Sequence, residues 1–201
     1  DEHDEINLNE LEPLIAKPSM PDQVVKVSEI AGTPVDQVFV GACVNASYED
    51  LMTTAAVLKG RTVHPRVSLV IAPGSKQVYT MIAESGALTD LIKAGARILE
   101  SGCGPCIGMG QAPPTGAVSV RTSTRNFKGR SSTADDRVYL SSPETAVAAA
   151  VYGQITDPRE LGDPVRVEYP AHFAVADNMI LPPVEHPEQV DVVRGPNIKP
   201  L

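Results

Sequence analysis

Apolar and polar positions begin to follow a regular grammar at Val35. Residues 35–40 and 67–71 are short β-branched runs of strand length, and each leads into a segment whose apolar residues recur at helical spacing. After the first run, Ser47 is placed to cap a helix, with Glu49 and Asp50 in the first turn where the helix dipole favours negative charge. Leu51, Ala55 and Leu58 then share one face, and Gly60 ends the run. After the second run, Pro73-Gly-Ser75 turns the chain into a helix over residues 76–84; Gly86 interrupts it, and a second short helix covers residues 87–93 before Gly95. Further strands are predicted over 96–100, 116–122 and 137–140, and a last helix follows Ser142, with Pro143 at its first position.

Strands alternating with helices predict an α/β fold, three-layer α/β/α, in which a mostly parallel sheet is covered on both faces. The flanks read differently. Residues 1–34 are acidic, then punctuated by Pro13, Pro18, Pro21 and Pro34, and are expected to form an extended lead-in with at most one helical turn over residues 9–15. Residues 35–159 make the domain, and the proline-rich residues 160–201 are read as a linker over the surface. The chain starts without methionine and ends abruptly, and it reads as a piece of something longer.

Composition narrows the function. Seventeen basic against 25 acidic residues give a net charge of −8, which argues against nucleic acid or an anionic membrane as a partner of this segment. An anionic substrate would therefore need local positive charge. No apolar run is long enough for a membrane span, no leader pattern is present, and three cysteines are an odd number for a disulfide framework. A reducing cytoplasmic location is the expectation.

The chemistry-bearing residues sit at strand ends. Cys43 follows the first strand, and Cys103 and Cys106 lie on the glycine-proline turn after the third. Ligands of open α/β sheets bind beyond the carboxyl ends of the strands, so the three thiols are expected to converge on one metal centre. A Cys-x-x-Cys pair serves zinc sites, redox dithiols and iron–sulfur sites alike, and Cys43 alone reads equally well as a small buried hydrophobe. Three thiolates fall short of a closed zinc site; on a four-iron cluster they would leave one iron open as a Lewis acid. Residues 116–133 carry Arg121, Arg125, Lys128 and Arg130 and, up to that point, no carboxylate. Arg125 and Arg130 bracket a turn that would aim two guanidiniums at carboxylates, and a solvated basic loop is the alternative. Residues 73–77 would suit an anion or a plain helix cap. His64 precedes a proline in a loop, His3, His172 and His186 fall in the flanks, and no general base is evident.

Taken together, Gly41-Ala-Cys-Val-Asn-Ala-Ser-Tyr-Glu-Asp50, Pro73-Gly-Ser75, Cys103-Gly-Pro-Cys-Ile-Gly108, Arg125-Asn-Phe-Lys-Gly-Arg130 and Ser142-Pro-Glu144 resemble, in order and spacing, the aconitase and isopropylmalate dehydratase superfamily. The resemblance runs from about residue 6 to about residue 159 and implies the third α/β/α domain of the large cluster-bearing part. The tail resembles the linker to a swivel domain. By position it implies a [4Fe-4S] cluster on Cys43, Cys103 and Cys106, and substrate carboxylates held by Arg125 and Arg130. It further implies a parent hydro-lyase, aconitate hydratase-like and in the tricarboxylic acid cycle, that isomerises a hydroxy di- or tricarboxylate. An isopropylmalate- or homoaconitate-type dehydratase is the alternative, and a non-catalytic iron-sensing or RNA-regulatory module is a second one of another class. The family's serine base and its acid–base histidine and aspartate belong to other domains, so no catalytic residue is expected in this chain, its partners are the remaining domains, and the segment alone is expected to be inactive. Ala42, Val44 and Thr124 depart from the family pattern, which commonly places hydroxyl-bearing residues on either side of the first cysteine and asparagine before the first arginine.

Overall fold

The computed structural model describes residues 3–41, 43–191 and 193–199. Its centre is a mixed sheet with five parallel strands. The strands are β1 (Leu14–Ala16), β2 (Val24–Lys26), β3 (Gln37–Gly41), β4 (Ser68–Ala72), β5 (Arg97–Ile98), β6 (Val118–Arg121) and β7 (Arg137–Leu140), in the order β2-β1-β7-β6-β3-β4-β5. β3 pairs in parallel with both β4 and β6, and all five of its residues are buried, as a central parallel strand requires. The chain first winds outward from β3 through β4 to β5, then crosses back to β6 and β7. The loops after β3 and β6 therefore flank the point where the winding reverses, which is where open α/β sheets bind ligands.

Four helices, α1 (Tyr48–Leu58), α2 (Lys76–Glu84), α3 (Ala87–Ala94) and α4 (Pro143–Tyr152), follow from local sequence signals. Ser47 and Asp50 form a reciprocal capping box on α1. Ser75 caps α2 and Ser142 caps α4, whose first residue is Pro143. Gly95 and Gly153 end α3 and α4 in the left-handed conformation.

Strand alternation divides the sheet into two unequal layers. Val38 and Val40 of β3, Leu69 and Ile71 of β4, and Val118 and Val120 of β6 join Leu51 and Leu58 of α1, Ile82 of α2, Leu91 of α3 and Ala146, Ala149 and Ala150 of α4 in the main core. Fully burying each Leu, Ile or Val contributes about 1.5–3 kcal/mol. On the opposite face Phe39, Val70 and Ala72 pack with Leu99 and Cys106. That layer is irregular. It comes from the β5–β6 connection, whose one regular piece is the 3-10 turn Pro105–Ile107.

The lead-in holds more structure than its prolines imply. β1 and β2 form an antiparallel hairpin, and β1 extends the sheet beside β7. The tail carries 3-10 turns at Pro158–Leu161 and Pro187–Gln189 and is otherwise irregular. Tyr169 and Phe173 cluster with Tyr48 at the start of α1, and the Tyr169 hydroxyl donates to Glu49. Among the described residues, no helix is long and apolar enough to cross a membrane.

Candidate functional site

The carboxyl ends of β3, β5 and β6 deliver the site. Cys43 lies two residues past β3 on an exposed turn. That turn is tied down from β6: the Gly41 amide donates to Thr122 Oγ1 at 3.0 Å, the Thr122 hydroxyl lies 3.0 Å from the Asn45 carbonyl, and the Asn45 side-chain amide donates to the Thr122 carbonyl. The Gly74 amide, from the loop after β4, donates to the Ala46 carbonyl at 3.0 Å. Ala42 lies outside the described residues. Val44 is exposed.

Cys103 and Cys106 ride on the connection after β5. Cys103 is exposed and Cys106 is buried against Phe39. Amides of Ile107 and Met109 both donate to the Gly104 carbonyl, and Gly108 closes the turn at φ +86. Only a glycine fits there, because a Cβ would lie 2.1 Å from the Ser131 carbonyl oxygen. The cysteine turn thus rests directly on the arginine loop.

That loop, residues 122–136, is organised around two buried polar side chains. Asp136 accepts from the amides of Gly129 at 3.1 Å and Ser131 at 2.8 Å, and from the Ser131 hydroxyl. Asn126 donates to the Lys17 carbonyl at 2.8 Å and to the Val138 carbonyl at 3.2 Å, so the β1–β2 hairpin braces the loop from outside the sheet. Arg125 is exposed and Arg130 half-buried, the latter 5.8 Å from the Phe127 ring centre.

These pieces enclose one cavity of about 390 Å³, lined by Cys43, Cys103, Cys106, Ser123, Thr124, Arg125 and Arg130 among others. All five residues singled out from the sequence as ligands or carboxylate binders line it. The thiols surround a cavity and not a point: among the described residues, no three His, Cys, Asp or Glu side chains are close enough to chelate a single ion. Burial pushes the Cys106 thiol up and Cys103 adds to the rise, while Arg130 and Arg121 draw it back down and Cys43 raises it. Ser123 Oγ and Arg130 Nε are buried without a hydrogen-bond partner. Groups of that kind cost free energy unless something meets them, and both residues line this cavity.

His64 lies elsewhere, its ring packed on Gly153 at the end of α4. Ser75 acts as a plain helix cap, its hydroxyl accepting from the Val78 amide at 3.1 Å. Thr122, Ser123 and Asp136, which build the site, carry no distinctive signal in the sequence, because their roles depend on partners far along the chain.

The sequence profile of the Aconitase family (aconitate hydratase) matches residues 28–153. The chain belongs to the aconitase family. Its matched span runs from the 3-10 turn before β3 to the end of α4 and so takes in every loop that lines the cavity. This member is 47% identical over 156 residues to the 3-isopropylmalate dehydratase large subunit 1 of Methanopyrus kandleri, covering 77% of this chain and 37% of that protein. Against the homoaconitase large subunit of Thermus thermophilus the identity is 47% over 159 residues, covering 78% and 38%. Against the methanogen homoaconitase large subunit of Methanocaldococcus jannaschii it is 41% over 154 residues, covering 76% and 37%. The matched part of the chain therefore spans well under half the length of these relatives.

Proposed function

We propose that this chain is the cluster-bearing and carboxylate-binding segment of a hydro-lyase, with Cys43, Cys103 and Cys106 as ligands of a [4Fe-4S] cluster and Arg125 and Arg130 as holders of substrate carboxylates. The observation that carries the reading is the single cavity lined by all five. A mononuclear ion needs its thiolates within about 2.3 Å of one centre. A four-iron cluster takes each thiolate at a different iron, so its ligands surround a volume, and three soft donors from two separate loops fit that demand. When bound, such a cluster leaves one iron free to act as a Lewis acid toward a substrate hydroxyl.

The protein's own groups bind and orient. Arg125 and Arg130 offer paired N–H donors to carboxylates, in charge-assisted bonds stronger than those between neutral groups. Ser123 Oγ is a further donor without a partner. Thr124, where the family pattern has asparagine, lines the cavity with a shorter side chain. No base or acid for moving the substrate proton is identified in this segment, so the parent completes the reaction with groups outside it, and the segment alone is inactive. The small-molecule substrate is a hydroxy di- or tricarboxylate. Relatives named for isopropylmalate and homoaconitate favour those classes over the citrate of the tricarboxylic acid cycle.

Anaerobic reconstitution of the 201-residue chain with iron and sulfide tests the ligand set. Wild type is expected to develop cluster absorbance, and Cys43→Ser to lose most of it. A Cys43→Ser chain that assembles the same cluster with equal stability removes the three-ligand assignment. Dehydration assays of the complete parent with isopropylmalate, homocitrate and citrate test the substrate class, and a preference for citrate overturns it.

A further inference from the structure

Arg121 is only 1% exposed, and among the described residues it makes no ion pair. Neutral acceptors hold it. Its Nε donates to Ser119 Oγ at 2.8 Å, Nη2 to Gln37 Oε1 at 2.8 Å, and Nη1 reaches the Cys106 carbonyl at 3.4 Å. The guanidinium lies 5.6 Å from the Phe39 ring centre. Asp136, a carboxylate that acts on it, is already engaged by two amides and a hydroxyl of the arginine loop. A buried cation without its own counter-ion is destabilising. Beyond Asp136, the group beside it that can carry negative charge is Cys106, which lines the thiol cavity and whose carbonyl Nη1 reaches.

We propose that Arg121 is the built-in counter-charge of that cavity: a positioning residue that anchors the Cys106 turn and offsets the negative charge of the assembly held by the three thiolates. The proposal rests on the iron–sulfur reading above. The potential of such clusters responds to net charge and to nearby hydrogen bonds, so a fixed buried cation favours the reduced form.

Redox titration of the cluster absorbance in the reconstituted 201-residue chain tests it. Arg121→Gln removes the charge, whereas Gln37→Glu keeps the arginine and sets a carboxylate against Nη2, cancelling the charge with little change of shape. Both are expected to move the reduction equilibrium at least tenfold toward the oxidised form, ~59 mV more negative for one electron. Arg121→Lys retains the charge and is expected to stay at the wild-type potential. A purely structural role would lower the melting temperature without moving the potential, so a wild-type potential in both charge-cancelling variants overturns the assignment. Should Arg121→Gln fail to fold, Gln37→Glu decides alone: a shift sustains the proposal and its absence ends it. A wild-type chain that takes up no cluster refutes the iron–sulfur reading, and the assignment falls with it. Assembly in wild type with unmoved potentials in the variants refutes the assignment only.

Discussion

Gly108→Ala perturbs a point where the cysteine turn comes close to the backbone of the arginine loop. Gly108 sits at φ +86, and holding an alanine in this left-handed region costs about 1–2 kcal/mol. The new Cβ would also lie 2.1 Å from the Ser131 carbonyl oxygen and 2.7 Å from its carbon. No rotamer relieves a clash with backbone. Ser131 can yield only by loosening its amide bond to Asp136, a charge-assisted bond at 2.8 Å worth about 1.5–3 kcal/mol. The two effects together predict a loss of about 2.5–5 kcal/mol. Gly110→Ala is the reference: Gly110 has φ +68 but open space around it, so it should lose only the backbone share, about 1–2 kcal/mol. Urea unfolding followed by circular dichroism reads both midpoints, and the difference isolates the contact. If the two variants agree within ~0.5 kcal/mol, the scatter expected of ordinary surface changes, the apposition of the two loops is wrong.

Two further substitutions separate site from scaffold. Thr122→Val leaves the buried Gly41 amide without its acceptor and frees the Asn45 turn, and is expected to cost about 1–3 kcal/mol and to reduce cluster uptake, read by urea unfolding and by absorbance. Ser142→Ala removes the α4 cap, whose hydroxyl accepts from the Thr145 amide at 3.3 Å, and should cost about 1 kcal/mol while leaving uptake unchanged; a loss of uptake would show that the two layers are not independent.

The elements legible in the sequence are those whose signals are local. α2 needs only Ser75 and its apolar spacing, and α1 only Ser47, Asp50 and Leu51, Ala55 and Leu58. The β1–β2 hairpin hides in the proline-punctuated lead-in because strands of only three residues carry little pattern, and the place of β1 at the sheet edge depends on Leu140 of β7, more than a hundred residues away. Arg121 illustrates the same limit at the site. In Val118-Ser-Val-Arg121 the alternation turns the valines to the core and, taken alone, leaves Ser119 and Arg121 facing solvent. The cysteine connection covers that second face, so both are buried, and no local feature of β6 announces it.

Phe39 shows why the two faces of one strand carry different burdens. Its neighbours Val38 and Val40 enter the helical core, where any apolar side chain of similar volume would serve. Phe39 points into the other layer, packs with Cys106 and Leu99, and lies under the Arg121 guanidinium, so its ring is at once the floor of the cysteine turn and the apolar wall that keeps water from a buried charge. It also crowds the exit of β3: a Cβ at Gly41 would lie 2.4 Å from that ring, so any larger residue two before Cys43 would have to push the aromatic aside. The helical layer sets how stable the domain is, and the irregular layer sets where the thiols and guanidiniums stand. The sheet lets one strand answer both demands, because successive residues face opposite ways.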